Sequence, residues 1–334
     1  MTLAPYFSII IPSFNSSNTI DRAISSVFNQ NCKESIEVIV VDDGSTDNSL
    51  TVIEKINDHR LNVIKQKNKG PSAARNLGTD VAKGNYVAFL DADDEYHPKF
   101  LSRIVYLIEK YPNAKVYTTG YWLKYDDDEV IPADIKLHFN DESTGIIQNY
   151  FYCAATGSNP ICSSSICIKK HILSSLKGFP MDIRMHEDLY LWVKLVTNHV
   201  VAHHKKPSST YYKNTPQSSC KRIIATKKDL RLVPEIYESI KNGKINGKER
   251  VYAISYANRW VFRDAFKSTI ANEKANTKEI LSLVKLQTSK DLLKLFSIYL
   301  LNLIPHSMAT SIWASGRWIK SIARKHSNIQ LTMD

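Results

Sequence analysis

Four short runs of apolar, strand-forming residues open the chain, and each stops at a polar turn. Phe7 to Ile11 ends at Pro12-Ser13-Phe14-Asn15, Ile36 to Val41 at Asp42-Asp43-Gly44, Leu61 to Lys65 at Gln66-Lys67-Asn68-Lys69-Gly70, and Tyr86 to Leu90 at Asp91-Ala92-Asp93-Asp94. The continuous Tyr86 to Leu90 run predicts a strand buried on both faces. Between the runs the period changes. Ile20, Ala23, Ile24, Val27 and Phe28 share one face of a helix over Ile20 to Asn29 that Ser17 or Asn18 can cap. Thr46 or Asp47 is placed to cap a second helix through Asn57, and Pro71 suits the first turn of a third that ends near Lys83-Gly84. Strand-helix alternation predicts an α/β fold with a mostly parallel sheet, right-handed crossovers and ligands beyond the carboxyl ends of the strands. The four polar turns therefore converge on one cleft. Neither GxGxxG nor GxxxxGK[ST] stands at these turns, which weighs against a dinucleotide fingerprint or a P-loop.

Beyond Pro98 the pattern loosens. It predicts a helix over Phe100 to Glu109 and a strand over Ala114 to Leu123, then an acidic, solvated loop over Tyr125 to Asp134. Ile146 to Tyr152, Ser164 to Ile168 and Ser209 to Tyr212 read as short strands of a more antiparallel second half. Gly178 to Asp182 is a turn, and His186-Glu187-Asp188 opens a helix carrying Leu189, Leu191, Trp192, Leu195 and Val196. Acids at a helix N-terminus suit its dipole, so capping alone explains that pair. From Ile223 the chain reads as helical. Arg259-Trp260 resembles part of the QxxRW signature of processive polysaccharide synthases, but Tyr256 stands at the glutamine position and no membrane spans accompany it, so it is set aside. Leu292 to Ile304 is apolar nearly all round yet shorter than the ~20 residues that span a bilayer. Trp313 through Lys325 mixes two tryptophans with Arg317, Lys320, Arg324 and Lys325, the makeup of a helix lying on an anionic membrane surface or, equally in kind, of one packed on protein. Met1 to Tyr6 has no basic n-region, so no signal peptide is expected.

Composition adds constraints. With 334 residues, 43% of them hydrophobic and 23% charged, the chain is an ordinary globular one. A net charge of +11 suits an anionic partner such as a nucleotide, nucleic acid or acidic membrane. No basic stripe with interleaved aromatics marks the first 215 residues, which argues against nucleic acid. Five irregularly spaced cysteines without a CxxC pair point to reduced thiols in a cytosol rather than a disulfide framework or zinc site. Asp91, Asp93 and Asp94 crowd one strand end, where like charges repel unless a cation or a donor-rich ligand neutralises them. A hard divalent ion, Mn2+ or Mg2+, suits oxygen donors and takes substrate phosphates as its other ligands, while a solvated acidic turn is the plainer alternative.

Taken in order, five clusters resemble the family-2 glycosyltransferases of GT-A fold: Ser8 to Asn15, Val41 to Asp47, Gly70 to Asn76, Phe89 to Asp94, and His186-Glu187-Asp188. The resemblance implies a GT-A domain over 1–222, with a nucleotide-sugar half over about 1–98 and an acceptor half over about 99–222, followed by a helical region over 223–334. It also implies inverting transfer of a hexosyl or N-acetylhexosaminyl group from a nucleotide-sugar donor, foremost a UDP-sugar, to an acceptor hydroxyl. By the same resemblance Pro12, Asn15, Asp42, Asp43, Arg75 and Asp91 line the nucleotide, Asp93 binds Mn2+ or Mg2+, and Asp94 orients it or caps a helix. Asp188 is the implied base, Glu187 orients the acceptor or caps its helix, and His203 or His204, placed after a strand, completes the metal shell or is an ordinary histidine. A polar loop from Tyr212-Lys213 to Lys221-Arg222 closes over the diphosphate or is plain surface. The expected setting is bacterial cell-surface polysaccharide synthesis on a lipid-linked acceptor, by a cytoplasmic protein peripheral to the inner face of the cytoplasmic membrane. Two other classes stay open: a metal-dependent phosphohydrolase, and a non-catalytic nucleotide-sugar-binding module.

Overall fold

The computed structural model describes residues 4–125, 129–139, 143–213, 223–304 and 307–308. The four opening runs form β1 (Phe7–Ser13), β2 (Ile36–Asp42), β3 (Leu61–Lys65) and β4 (Tyr86–Phe89), joined by α1 (Ile20–Phe28), α2 (Ser49–Glu54) and α3 (Pro71–Val81). β1 pairs in parallel with β2 and β4, and β2 with β3, so the polar turns share one edge as expected. Two details differ. No side chain caps α1, whose first turn bonds to the Ser16 carbonyl, and α2 is shorter than the pattern suggests, opening after Asp47 accepts the Ser49 N–H at 2.9 Å.

The second half supplies β5 (Glu95–Tyr96), α4 (Phe100–Lys110), β6 (Val116–Lys124), β7 (Val130–Pro132), β8 (Thr144–Ile146), α5 (Tyr150–Thr156), β9 (Ile166–Lys169), α6 (Lys170–Ser175), α7 (Glu187–Asn198) and β10 (Val201–Tyr212). Four helices follow: α8 (Leu232–Lys241), α9 (Gly247–Ile270), α10 (Lys274–Leu281) and α11 (Ser289–Leu303). Among the described residues the sheet runs β3-β2-β1-β4-β9-β6-β10-β5, with β7 on β6 and β8 on β10. β9 is antiparallel to both neighbours, as are the β5, β7 and β8 pairings, whereas β10 runs parallel to β6.

Three expectations are corrected. Ile146 to Tyr152 is not a strand: β8 stops at Ile146, and Tyr150, Phe151, Cys153 and Ala154 then bury one face of α5 at helical spacing. Part of the acidic loop is strand β7, solvent-exposed as expected, while Asp126 to Asp128 lie outside the described residues. His203 and His204 do not follow a strand; they lie within β10, which continues to Tyr212 through register shifts around Pro207. Lys205, Lys206 and Pro207 interrupt the apolar signal in the sequence, and bulges absorb them in the sheet.

Strand alternation divides the core between the two faces. Phe7, Ile9, Ile11, Val38 and Val40 pack on α1, α2 and α4, whereas Ile10, Ile39, Val41 and Phe89 pack on the other side. Gly78 lets α3 approach closely there, because a Cβ would lie 2.5 Å from Ile10 Cγ2. That second cluster continues through Trp192 of α7 into Tyr256, Val261 and Ile298, so the C-terminal helices share the hydrophobic core of the sheet. Burial of these side chains, at ~1.5–3 kcal/mol each, is the main force holding them there.

Candidate active site

The site gathers where the parallel strands end. Pro12 is half-buried in β1 opposite Val41. Asn15 adopts a left-handed φ of 52°, and its Oδ1 accepts the Thr46 N–H at 2.8 Å while its own N–H donates to Ser45 Oγ at 2.9 Å. These bonds bind the first two polar turns together. Asp42, buried at the end of β2, accepts the Ser45 N–H at 3.2 Å through Oδ2, and its buried Oδ1 has no partner among the described residues. An orphaned carboxylate oxygen costs about 1–3 kcal/mol and suits a ligand's N–H or O–H. Asp43 is fully engaged by its own scaffold: Oδ1 accepts from Gln66 Nε2 at 2.7 Å and the Lys69 N–H at 2.8 Å, and Oδ2 accepts the Gly70 N–H at 2.8 Å. Gly70, at a φ of 88°, makes the turn that aims these N–H groups before Pro71 starts α3.

Arg75 of α3 joins the two ends of the site. Its side chain is 6% exposed and donates to Asp91 Oδ1 at 2.7 Å and to Glu187 Oε1 at 3.3 Å. Burial works against its charge, but the adjoining Asp91 and Glu187 carboxylates outweigh this and raise its pKa. Asp94 is fully buried, not a surface carboxylate: Oδ2 accepts from Ser164 Oγ at 2.5 Å and Oδ1 from the Tyr212 N–H at 3.0 Å. The same Ser164 Oγ accepts the Asp91 N–H at 3.1 Å. Burial, then repulsion from Asp93 and Asp91, pushes the Asp94 carboxyl well above its ordinary pKa. Asp93 is half-buried, and its carbonyl accepts from Arg22 at 2.5 Å.

Burial, then the Asp93 and Asp91 charges, raise the Asp94 carboxyl in a turn short of positive charge, and all its side-chain donors are oxygens, so the turn fits Mn2+ or Mg2+. Among the described residues no three His, Cys, Asp or Glu side chains form a ready cage, so an ion on Asp93 would need a ligand's phosphates. His203 and His204 do not contribute. His203 is buried with Nδ1 2.7 Å from Thr118 Oγ1, and burial, then His204, drives its pKa down to about 3, leaving it neutral. They pair with Thr118 and Thr119 of β6, whereas Tyr212 pairs with Lys124, so they lie five or six residues of sheet away, about 16–20 Å at ~3.3 Å per residue. They are core histidines.

At the far end, Glu187 and Asp188 start α7 side by side. Burial, then the neighbouring Asp188 charge, lifts Glu187 to about 7 against the pull of Arg75. Asp188 is raised as well: burial outweighs the charges of Arg75 and His186 and the Leu189 N–H that its Oδ1 accepts at 2.7 Å. His186 itself sits at a left-handed φ of 65°, with Nε2 2.6 Å from Asp264 Oδ2 on α9. Trp260 of α9 lies over the imidazole with ring centroids 5.1 Å apart, and Arg263 lies 4.1 Å over Trp260. Tyr150 Oη, Tyr256 Oη and Trp260 Nε1 are buried without partners among the described residues, and Tyr256 lies within 6.3 Å of Tyr150 and 6.1 Å of Trp260 between ring centroids.

The structure thus brings Asp42, Arg75, Asp91, Asp93, Asp94, Glu187 and Asp188 together, and leaves His203 and His204 out. Sequence reasoning missed Ser164, Tyr256 and Asp264, and set Trp260 aside. The spacing of Tyr256, Trp260 and Asp264, four residues apart on one helical stripe, was the available signal. The closing loop expected over Tyr212 to Arg222 lies mostly outside the described residues, as does the Trp313 to Lys325 segment.

Comparisons with known proteins agree with this geometry. Residues 8–166 match the family described as glycosyl transferase family 2. The chain is 30% identical over 207 residues to the Escherichia coli UDP-Glc:alpha-D-GlcNAc-diphosphoundecaprenol beta-1,3-glucosyltransferase WfaP, covering 62% of this chain and 76% of WfaP. It is 33% identical over 170 residues to an uncharacterized glycosyltransferase of Haemophilus influenzae, covering 50% of this chain and 48% of that protein. The S. aureus TarS 1–349 structure in complex with UDP-GlcNAc superposes with a TM-score of 0.63 at 19% identity, covering 93% of this chain and 92% of TarS 1–349, a likeness of fold. The phosphohydrolase and binding-module readings give way, and the GT-A expectation is borne out. The chain belongs to glycosyl transferase family 2 and is a glycosyltransferase.

Proposed function

We propose that the chain moves a sugar, with inversion, from a nucleoside diphosphate sugar to an acceptor hydroxyl, using Asp188 as base. One observation carries this reading: buried Arg75 bonds both Asp91, on the donor turn, and Glu187, beside Asp188. A donor on the strand ends would therefore lie next to a carboxylate held at raised pKa. In the reaction, the acceptor oxygen forms a bond to the anomeric carbon as Asp188 takes its proton, and the bond to the diphosphate breaks. Asp42 offers its unpartnered Oδ1 to the nucleoside, Pro12 and Arg75 border the base, and Asp91 faces the ribose. Asn15 and Asp43 shape these loops through their own hydrogen bonds. Asp93 would hold Mn2+ or Mg2+, which when bound stabilises charge on the departing diphosphate. Tyr150, Tyr256 and Trp260 gather buried polar atoms beside one another on the acceptor side.

WfaP is named for UDP-Glc and a diphosphoundecaprenol-linked GlcNAc, and the TarS complex contains UDP-GlcNAc, so we assign a UDP-sugar donor and a lipid-linked glycan acceptor. The pathway class is bacterial cell-surface polysaccharide synthesis at the inner face of the cytoplasmic membrane. Supporting that location, α11 exposes Leu293, Phe296 and Leu303 beside Lys290 and Lys294, while no described helix is long and apolar enough to cross a membrane. Residues 1–222 form the catalytic unit in this reading and 223–334 its helical support.

The test is donor binding and hydrolysis across UDP-, GDP- and dTDP-sugars with Mn2+ or Mg2+, for wild type, Asp93→Ala and Asp188→Asn. Metal-dependent binding of one donor, lost in Asp93→Ala and kept without turnover in Asp188→Asn, is the expected result. Binding indifferent to metal and to both substitutions would overturn the reading.

A further inference from the structure

Asp264 lies 98 residues beyond the last residue matched to the family, in the interior of α9, yet it makes a 2.6 Å contact with the residue that precedes the Glu187-Asp188 pair. The contact is dry: the two side chains are 4% and 1% exposed. His186 needs such a hold. Its φ of 65° and ψ of 19° belong to the left-handed region, which costs a non-glycine residue ~1–3 kcal/mol unless its surroundings impose it. Its side chain makes no capping bond to α7, so the backbone conformation that starts this helix is fixed from outside, by α9. Asp264 is built for that task. Burial alone would raise its pKa, but the bond from His186 and the charges of His186 and Arg263 prevail and lower it, so it is an ionised anchor. Arg263 Nε donates to its other oxygen at 2.9 Å and stacks over Trp260, which in turn covers the imidazole. The anchor is itself anchored.

The consequence reaches Asp188. It is the second residue of α7, so a change in the direction of the first turn swings its carboxylate directly. The charged and titratable groups facing His186 and Asp188 are Arg75 from α3, Asp91 from the turn after β4, Tyr150 from α5, and Tyr256, Arg263 and Asp264 from α9. Among them, Asp264 and Arg263 are the groups that touch the His186 side chain, Arg263 Nη2 lying 3.2 Å from the same Nε2, and neither makes a described hydrogen bond to Glu187 or Arg75.

We infer that Asp264 and His186 form a positioning clamp through which the C-terminal helical region aims the catalytic base. The inference rests on Asp188 being that base. It makes α9 part of the catalytic machinery, not a support that can be exchanged.

The test uses the full chain with Asp264→Asn and His186→Asn, the second chosen because asparagine tolerates the left-handed backbone. Turnover of the best donor from the nucleotide-sugar panel, with water as acceptor, is followed from pH 5 to 9, together with donor affinity by calorimetry and the melting temperature. Misplacing a reacting group by about 1 Å costs ~100-fold, so kcat should fall ~10–100-fold in each variant with donor affinity unchanged. A carboxylate's surroundings set its pKa, so an Asp188 swung out of place should also move the acid limb of the profile in each variant. The double variant should be no worse than the poorer single, as expected for two parts of one device. Unchanged kcat and an unmoved acid limb, with or without a lower melting temperature, would reduce the contact to structure and overturn the clamp. A wild type that turns over no donor would instead count against the glycosyl-transfer reading, so the two failures are distinguishable.

Discussion

The donor end and the base end of the cleft are built in opposite ways. In the first two donor turns, polar side chains bond to backbone close in sequence, Asp43 to Lys69 and Gly70, 26 and 27 residues on, and Asn15 to Thr46, 31 residues on, whereas Asp94 of the third draws in Ser164 and Tyr212 from 70 and 118 residues away. At the base end the partners are distant, with Arg75 reaching Glu187 across 112 residues and His186 reaching Asp264 across 78. The donor turns spend most of their polar groups on one another. Beside the base, the buried polar atoms of Tyr150, Tyr256 and Trp260 are gathered from α5 and α9. A loop that satisfies itself can be carried through evolution or design as a unit, whereas a base assembled from α3, α7 and α9 depends on the packing of the whole molecule.

The largest effect should come from the base itself. Asp188→Asn keeps the size and the Leu189 N–H contact but cannot take a proton, so turnover should fall ~10²–10⁴-fold, with donor affinity retained. Parallel loss of donor binding would erase the distinction between the two ends.

Arg75→Ala attacks the link between them. It removes the shared counter-charge of Asp91 and Glu187 in a site where the arginine is 6% exposed, and breaking a buried pair from one side costs ~3–5 kcal/mol. Denaturant unfolding should report a loss of that order. Stability within ~1 kcal/mol of wild type would show the carboxylates relaxing independently, and the ends would then be separate sites.

The same contrast explains what the sequence made legible. Each parallel strand was a largely apolar run, with only Ser8, Glu37 and Asn62 breaking it, stopped by its own polar turn, so Phe7 to Phe89 and the convergence of Asp42, Asp43 and Asp91 followed from local rules. Ile146 to Tyr152 misled because a short apolar run carries no clear period, and helix and strand differ there only in what they pack against. Asp94 looked like one more acid in an open turn. Its burial depends on Ser164 and the Tyr212 N–H, which the sheet brings in from 70 and 118 residues away. Asp264 carried only the faint signal of its four-residue spacing from Trp260 and Tyr256, since a lone acid inside a long helix is ordinarily a solvated one.

Next in size is the surface of α11, which belongs to neither end and tests whether the tail holds the cleft against a membrane. Leu293 and Phe296 are 65% and 59% exposed, and burying such a side chain is worth ~1.5–3 kcal/mol, or ~10–100-fold in partition. Leu293→Ser and Phe296→Ser should each weaken cosedimentation with vesicles containing anionic lipid by that factor while leaving donor turnover in solution intact. Pelleting equal to wild type would remove the membrane from the reading.

The smallest effect, and the one that best separates the two ends, is on pH. Glu187 and Asp188 share a buried site, where burial, then the Asp188 charge, lifts Glu187 to about 7 and burial raises Asp188. The base must be ionised to accept a proton, so turnover should be lost as the pH falls through the pair's titration. Glu187→Gln removes one carboxylate and with it the repulsion. Asp188 then ionises more readily, so the acid limb should move to lower pH even if the maximum rate drops because Arg75 has lost a partner. Donor affinity, governed by the other end, should show no inflection near 7 in the wild type or in Glu187→Gln. An inflection near 7 that survives Glu187→Gln unchanged would have to come from another group, and the base would no longer be controlled by its pair.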